Sequence, residues 1–254
     1  MTVTSQEITI NKPGVIISFL FEFFLPLISI FFWIRNYNGQ TKSFLFGLVG
    51  FIGSVALESL FLASMSLLID KNSNIYYTLI QLSPGIFEET GRYIIIKYLF
   101  SKNKNKSVSV SYGIGHGGME SMMIGINLLA CLLLKDKLIE IGALKENITI
   151  FICLMSNLER LFAFMLQVSL SVFVYKAIKE NKLSFYILAI IIHDIIDLMP
   201  LLELLGIMSS IALIELIVGF YSLCISFIAY KLYNNLDDNK EKLNEEEKEE
   251  LRNE

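Results

Sequence analysis

The sequence predicts an all-α membrane protein, a bundle of about seven transmembrane helices. Three observations carry this reading. Hydrophobic residues make up 54% of the 254-residue chain and charged residues only 18%, against about 25% charge in an ordinary soluble domain. Seven stretches reach the roughly 20 mostly apolar residues that a spanning helix needs. Periods of about ten alternating residues, the mark of a membrane barrel, are absent.

The stretches are taken in chain order. Pro13–Ile34 is interrupted by Glu22 and Ser43–Ile69 by Glu58. Ile75–Phe100 carries the Glu88–Glu89 pair and Arg92, and Ser107–Leu134 carries His116 and Glu120. Asn147–Tyr175 carries Glu159 and Arg160, Leu183–Leu205 carries His193, Asp194, Asp197 and Glu203, and Gly206–Lys231 carries Glu215. In lipid every backbone group must be satisfied within its own segment, which makes each stretch a helix. The last two nearly touch at Gly206, so a tight turn is expected there. No internal repeat separates the chain. It divides into a transmembrane unit, residues 1–233, and a charged tail, residues 234–254.

The net charge of −4 belongs to that tail, which holds nine acidic and four basic residues. A solvated helix is the plain reading of its composition, and a docking segment the sharper one. The body has no Lys/Arg face dense enough for nucleic acid, so no nucleic-acid partner is expected. Cys131, Cys153 and Cys224 are scattered in apolar runs and read as packing residues. No cleavable signal peptide is expected.

With seven spans, the loops sharing a side with the C-terminus hold Arg35, Lys42, Lys102, Lys104, Lys106, Lys176, Lys179 and Lys182. The other side holds Lys12, Lys71, Lys135, Lys137 and Lys145. This asymmetry predicts a multi-pass protein of the cell membrane with its N-terminus outside and its tail in the cytoplasm.

An ionisable group near the bilayer centre costs at least about 2.5–3.5 kcal/mol, and such groups face a bundle interior or a wet cavity. So many in one bundle imply a polar centre. Three motifs concentrate the chemistry: Glu88-Glu89-Thr90-Gly91-Arg92, His116-Gly117-Gly118-Met119-Glu120 and His193-Asp194-Ile195-Ile196-Asp197. His116 and His193 are the chain's only histidines, and each has a carboxylate four residues on. That spacing puts both groups on one helix face. Such a pair can grip one metal ion or one water. Two pairs supply more ligands than tetrahedral zinc needs.

Depth is an independent check. Glu88, His116, Glu120, His193 and Asp197 lie 9 to 14 residues from the same-side ends of their spans, roughly 14–21 Å deep at helical rise. The three motifs can therefore share one layer. Pro84-Gly85 is expected to kink or break its helix and open space. Gly113 and Gly117 form a small-residue face for close helix approach, and Pro200 is expected to bend the sixth span. Glu159 and Arg160 read as a structural or site-supporting ion pair that Asn157 extends. Glu22, Glu58 and Glu215 read as partners for Arg92 or Arg160, or as cavity lining.

The paired-Glu helix with Arg, the phrase GIGHGGMES and the later His-xxx-Asp helix together resemble the YhfC-type intramembrane metalloproteases, whose wider relatives are the PrsW proteases and the CAAX prenyl-protease and bacteriocin-processing membrane family. The resemblance covers the third to sixth spans well. It implies peptide-bond hydrolysis within or beside the membrane, with Glu88 or Glu89 as base and His116 and His193 in the site. This chain has Asp197 where the CAAX-type pattern has Asn, and it has Glu120 in the glycine-rich helix. Both add anionic ligands and favour metal binding.

The expectation is a zinc-dependent intramembrane endopeptidase acting on membrane-bound peptides or proteins. His116, His193 and Glu120 or Asp197 hold Zn²⁺, Glu88 or Glu89 moves the water proton, and Arg92 pins a glutamate or steadies an oxyanion. Water is expected from the cytoplasmic side. The alternatives are a proton- or ion-coupled transporter and a non-catalytic metal-binding membrane protein.

Overall fold

The computed structural model describes residues 8–253 except 101, 103, 104, 200, 202–205, 208 and 209, and describes side chains as far as residue 236. Lys104, Pro200 and Glu203 lie outside the described residues, so the bend expected at Pro200 does too. The described backbone is mostly helical, in the order α1 (Lys12–Tyr37), α2 (Thr41–Met65), α3 (Asn74–Ile95), a π-helical turn (Ile96–Phe100), α4 (Ser107–Leu133), α5 (Lys135–Glu140), α6 (Ile150–Lys179), α7 (Leu183–Asp197) and α8 (Ile211–Asn253).

Local chemistry sets several starts. The side chains of Asn11, Ser73 and Thr149 accept from the N–H groups of Gly14, Tyr76 and Ile152, capping α1, α3 and α6. Asn38 ends α1 in the left-handed region at φ 53°. A short parallel bridge ties the N-terminal segment to the start of α6, with Asn11 N–H donating to Ile148 O at 2.8 Å.

Among the described residues, five helices are long and apolar enough to cross a membrane: α1, α2, α4, α6 and, over Ile211–Leu236, α8. Those five coincide with expected spans. The expected third and sixth spans fall outside this set for physical reasons. Helix α3 holds Gln81, Ser83, Glu88, Glu89, Thr90 and Arg92 and is too polar. Helix α7 stops at Asp197 after 15 residues, short of the Leu205 expected. Helix α3 packs against α2 and α7, and α7 against α3 and α6, yet each keeps an exposed apolar face, with Ile86 and Ile94 on α3 and Ile187 and Ile191 on α7.

The break expected at Pro84-Gly85 does not occur. Helix α3 runs unbroken through Pro84. The adjacent glycine serves instead for close approach, since a Cβ at Gly85 would collide with Asp194 Oδ1 of α7. The last span continues without a break into the acidic tail, as one backbone helix from Ile211 to Asn253.

Helices α4 and α6 form the centre of the bundle. A Cβ at Gly113 would stand 2.6 Å from Val168 Cα, and one at Gly117 would stand 2.6 Å from Gln167 Cβ, so the small-residue face seats α4 against α6. The main apolar cluster, including Ile96, Tyr112, Leu170, Phe173 and Tyr175, fills the end of the bundle that carries the basic loops. The charged side chains lie above that plug.

Candidate active site

Glu88, Glu89 and Arg92 come from α3, His116 and Glu120 from α4, and His193 and Asp197 from α7. The structure gathers them into one cluster at the middle of the bundle. His116 Nε2 is 3.0 Å from Glu88 Oε2, and His193 Nε2 is 3.9 Å from the same oxygen. On its other side, His193 Nδ1 is 3.0 Å from Glu89 Oε1. His193 Nε2 also lies 3.5 Å from Asp197 Oδ2, one helical turn on. Thus the two histidines reach one carboxylate oxygen from two different helices. Glu89, Arg92 and His116 are wholly buried, and Glu88 and His193 nearly so.

The two His/carboxylate pairs behave differently. His193 and Asp197 face one another. Glu120 instead turns toward α6, where Arg160 Nη1 donates to its Oε1 at 2.7 Å and Gln167 Nε2 donates to its Oε2 at 2.9 Å. A guanidinium gives a carboxylate a stronger, charge-assisted bond than the imidazole on its own helix. Arg92 Nη2 lies 3.5 Å from Glu89 Oε1. Its guanidinium also donates to Gln167, to the backbone O at 3.0 Å and to Oε1.

Gln167 is the member that sequence reasoning missed. Its amide N–H groups donate to Glu88 Oε2, at 3.0 Å, and to Glu120 Oε2. With its acceptors turned to Arg92, it joins α3, α4 and α6 through one side chain. The available signal was a single glutamine in the apolar run of α6, which carries no motif spacing.

The remaining charged residues lie around this cluster. Glu159 accepts from Arg160 Nη2, while the Asn157 side-chain oxygen is buried without a hydrogen-bond partner among the described residues. Glu22 takes Ser156 Oγ at 2.9 Å, and Glu58 takes Ser83 Oγ at 2.6 Å. A cavity of about 240 Å³ borders the site, lined by Glu120, Arg160, Gln167, His193, Asp197 and Glu215 among others. It extends toward Met199 and Ile211, at the end of α7 and the start of α8. That is the end opposite the basic loops, contrary to the water entry expected from the basic side. The physical reason is the apolar plug of Tyr112, Leu170, Phe173 and Tyr175 at the basic end.

The donor types suit a divalent ion of zinc's kind. Two imidazoles and the carboxylates of Glu88 and Asp197 converge, and zinc takes such nitrogen and oxygen ligands. Glu89 on His193 Nδ1 leaves Nε2 facing the cluster, the carboxylate–histidine arrangement that orients metal-binding imidazoles. His116 Nδ1 and Asp197 Oδ2 are buried without hydrogen-bond partners among the described residues. Among the described residues no three His, Cys, Asp or Glu side chains already stand as a metal-holding group. The nitrogens and oxygens pair with one another instead.

A model of the YhfC intramembrane metalloprotease family matches residues 21–218. The chain is also 24% identical, over 223 residues, to an uncharacterized membrane protein, YhfC, of Bacillus subtilis (strain 168), a match covering 78% of this chain and 86% of that protein. No solved structure matches.

Proposed function

The chain belongs to the YhfC intramembrane metalloprotease family, and from that premise we propose that it is a metal-dependent endopeptidase cutting membrane or membrane-associated peptides by activated-water attack. The observation that carries the reading is the meeting of His116 and His193 at Glu88 Oε2, beside a cavity.

His116 Nε2, His193 Nε2 and the Asp197 carboxylate would hold the ion, zinc by their chemistry. Asp197 is preferred to Glu120 because Glu120 is committed to Arg160 and Gln167. When bound, such an ion lowers the pKa of a water and polarises a scissile carbonyl. Glu88 Oε2 takes the water proton and returns it to the leaving amide nitrogen. Glu89 keeps His193 in the tautomer that presents Nε2, and Arg92 balances the charge of Glu89. Gln167 fixes the Glu88 carboxylate. Glu159 pairs with Arg160, which holds Glu120. The surrounding helices keep bulk water to the cavity, and a substrate segment unwinds locally to expose its backbone there.

The test compares membrane proteomes of cells carrying the parent chain with those carrying Glu88→Ala, Glu89→Ala or both. Fragments that disappear with Glu88→Ala support the endopeptidase. Fragments independent of both glutamates overturn it. Solute uptake into proteoliposomes that Glu88→Gln abolishes would favour an ion-coupled carrier in its place.

A further inference from the structure

A second cavity lies on another face of the bundle, away from the histidines. Its volume is about 750 Å³, and its floor is apolar, formed by Val110 and Ile114 of α4 and Phe164, Val168 and Val172 of α6. Helices α1 and α8 form its walls. An apolar space of this kind does not hold water well. Where it opens to hydrocarbon, a lipid chain is the matching filler.

The mouth has a different chemistry. Trp33 stacks on Tyr37 at 4.6 Å between ring centres and meets Tyr233 edge-on at 6.2 Å. Lys106 Nζ donates to Tyr233 O at 3.2 Å and lies 4.6 Å from the Tyr233 ring. Trp33 Nε1 is buried with no hydrogen-bond partner among the described residues, and a buried N–H left unpaired costs about 1–3 kcal/mol. Tyr37 ends α1 and Lys106 precedes α4, so the mouth lies at the basic end of the bundle. Trp and Tyr gather at the headgroup level of a membrane, and basic side chains there attract anionic lipid. An apolar slot with aromatic rings and the Lys106 ammonium at its rim has the surface and the charge for a phosphate tethered to an acyl chain.

We propose that the cleft between α1 and α8 is a binding site for one anionic phospholipid, its acyl chain along Val110, Ile114, Phe164 and Val168 and its phosphate at Lys106. The site is separate from the Glu88 cluster and stands whether or not that cluster hydrolyses peptides. Zwitterionic lipid fills the slot less well, because its headgroup brings no net charge to Lys106.

The full chain is reconstituted in nanodiscs of equal phosphatidylglycerol and phosphatidylcholine, released into detergent, and examined by native mass spectrometry for retained lipid. The expected result is preferential retention of one phosphatidylglycerol. Lys106→Gln weakens the preference about fivefold, the worth of one basic group at a membrane surface. Met165→Trp, which narrows the slot, reduces retention of both lipids. Unchanged thermal unfolding of each variant shows that the fold is intact. Equal retention of the two lipids by the parent chain overturns the proposal, as does an unchanged preference in Lys106→Gln.

Discussion

Gln167 Nε2 donates to Glu88 Oε2 at 3.0 Å, the same oxygen that His116 Nε2 approaches at 3.0 Å. The amide therefore sets the direction of the carboxylate that both histidines face. Loss of a partner standing behind a metal site typically costs about 10–100-fold in affinity or activity. Gln167→Ala is expected to lower the yield of cleaved substrate fragments by about that factor, because it frees the carboxylate that moves the proton, while zinc content stays at the parent's level. Gln167→Glu should also fail, since it replaces the donating amide by an acceptor between two carboxylates.

Arg92 is wholly buried beside an equally buried Glu89. Removing the guanidinium strands that carboxylate. Arg92→Ala should lower stability by about 3–5 kcal/mol, the cost of breaking a buried ion pair from one side, as read by chemical unfolding in detergent. Arg92→Lys should recover only part of this, because an ammonium cannot reach Glu89 and both oxygens of Gln167 with the same fork.

The glycines of α4 give a steric prediction. A Cβ at Gly113 meets the backbone of Val168 at 2.6 Å, whereas one at Gly53 of α2 meets nothing within 4 Å. Gly113→Ala should therefore cost about 1–3 kcal/mol, the usual price of overpacking. Gly53→Ala should be neutral or slightly stabilising, because alanine favours the helix by about 1 kcal/mol. Equal thermal shifts for the two variants would contradict the close packing of α4 on α6.

A pH prediction concerns Glu180, just past the end of α6. Burial pushes its carboxyl up, but hydrogen bonds from Lys176 and Lys182 outweigh that and hold it below the usual 4.5. A carboxyl lowered by folding contributes stability above its unfolded value and loses it as pH falls through the folded value. Glu180→Gln should therefore cost up to about 1 kcal/mol at neutral pH. That difference should shrink below pH 4.5 and vanish under the folded value. The check is unfolding of the parent chain and the variant across that range.

Much of this arrangement was legible in the sequence because membranes punish charge. Glu88, Glu89, Arg92, His116 and His193 stand out against an apolar background, and counting residues from the span ends placed them at one depth. The helical boundaries of α1, α2 and α4 follow from apolar length alone. Less legible was what cross-helix competition decides. Glu120 has the same spacing from His116 that Asp197 has from His193, yet Arg160 of α6 takes it away. Gln167 carries no charge and no motif. The two faces of α3 also separate only in the fold: Glu88, Glu89 and Arg92 are buried against neighbouring helices, while Ile86 and Ile94 of the same helix are exposed.

Metal content tests the central claim most directly. The parent chain, purified in detergent and analysed by elemental mass spectrometry, should carry about one zinc per chain, as expected for a site of three protein ligands and a water. His116→Ala and His193→Ala should each lose it while retaining the helical content of the parent. A parent chain that binds no divalent metal after zinc loading, or variants that keep it undiminished, would contradict the account.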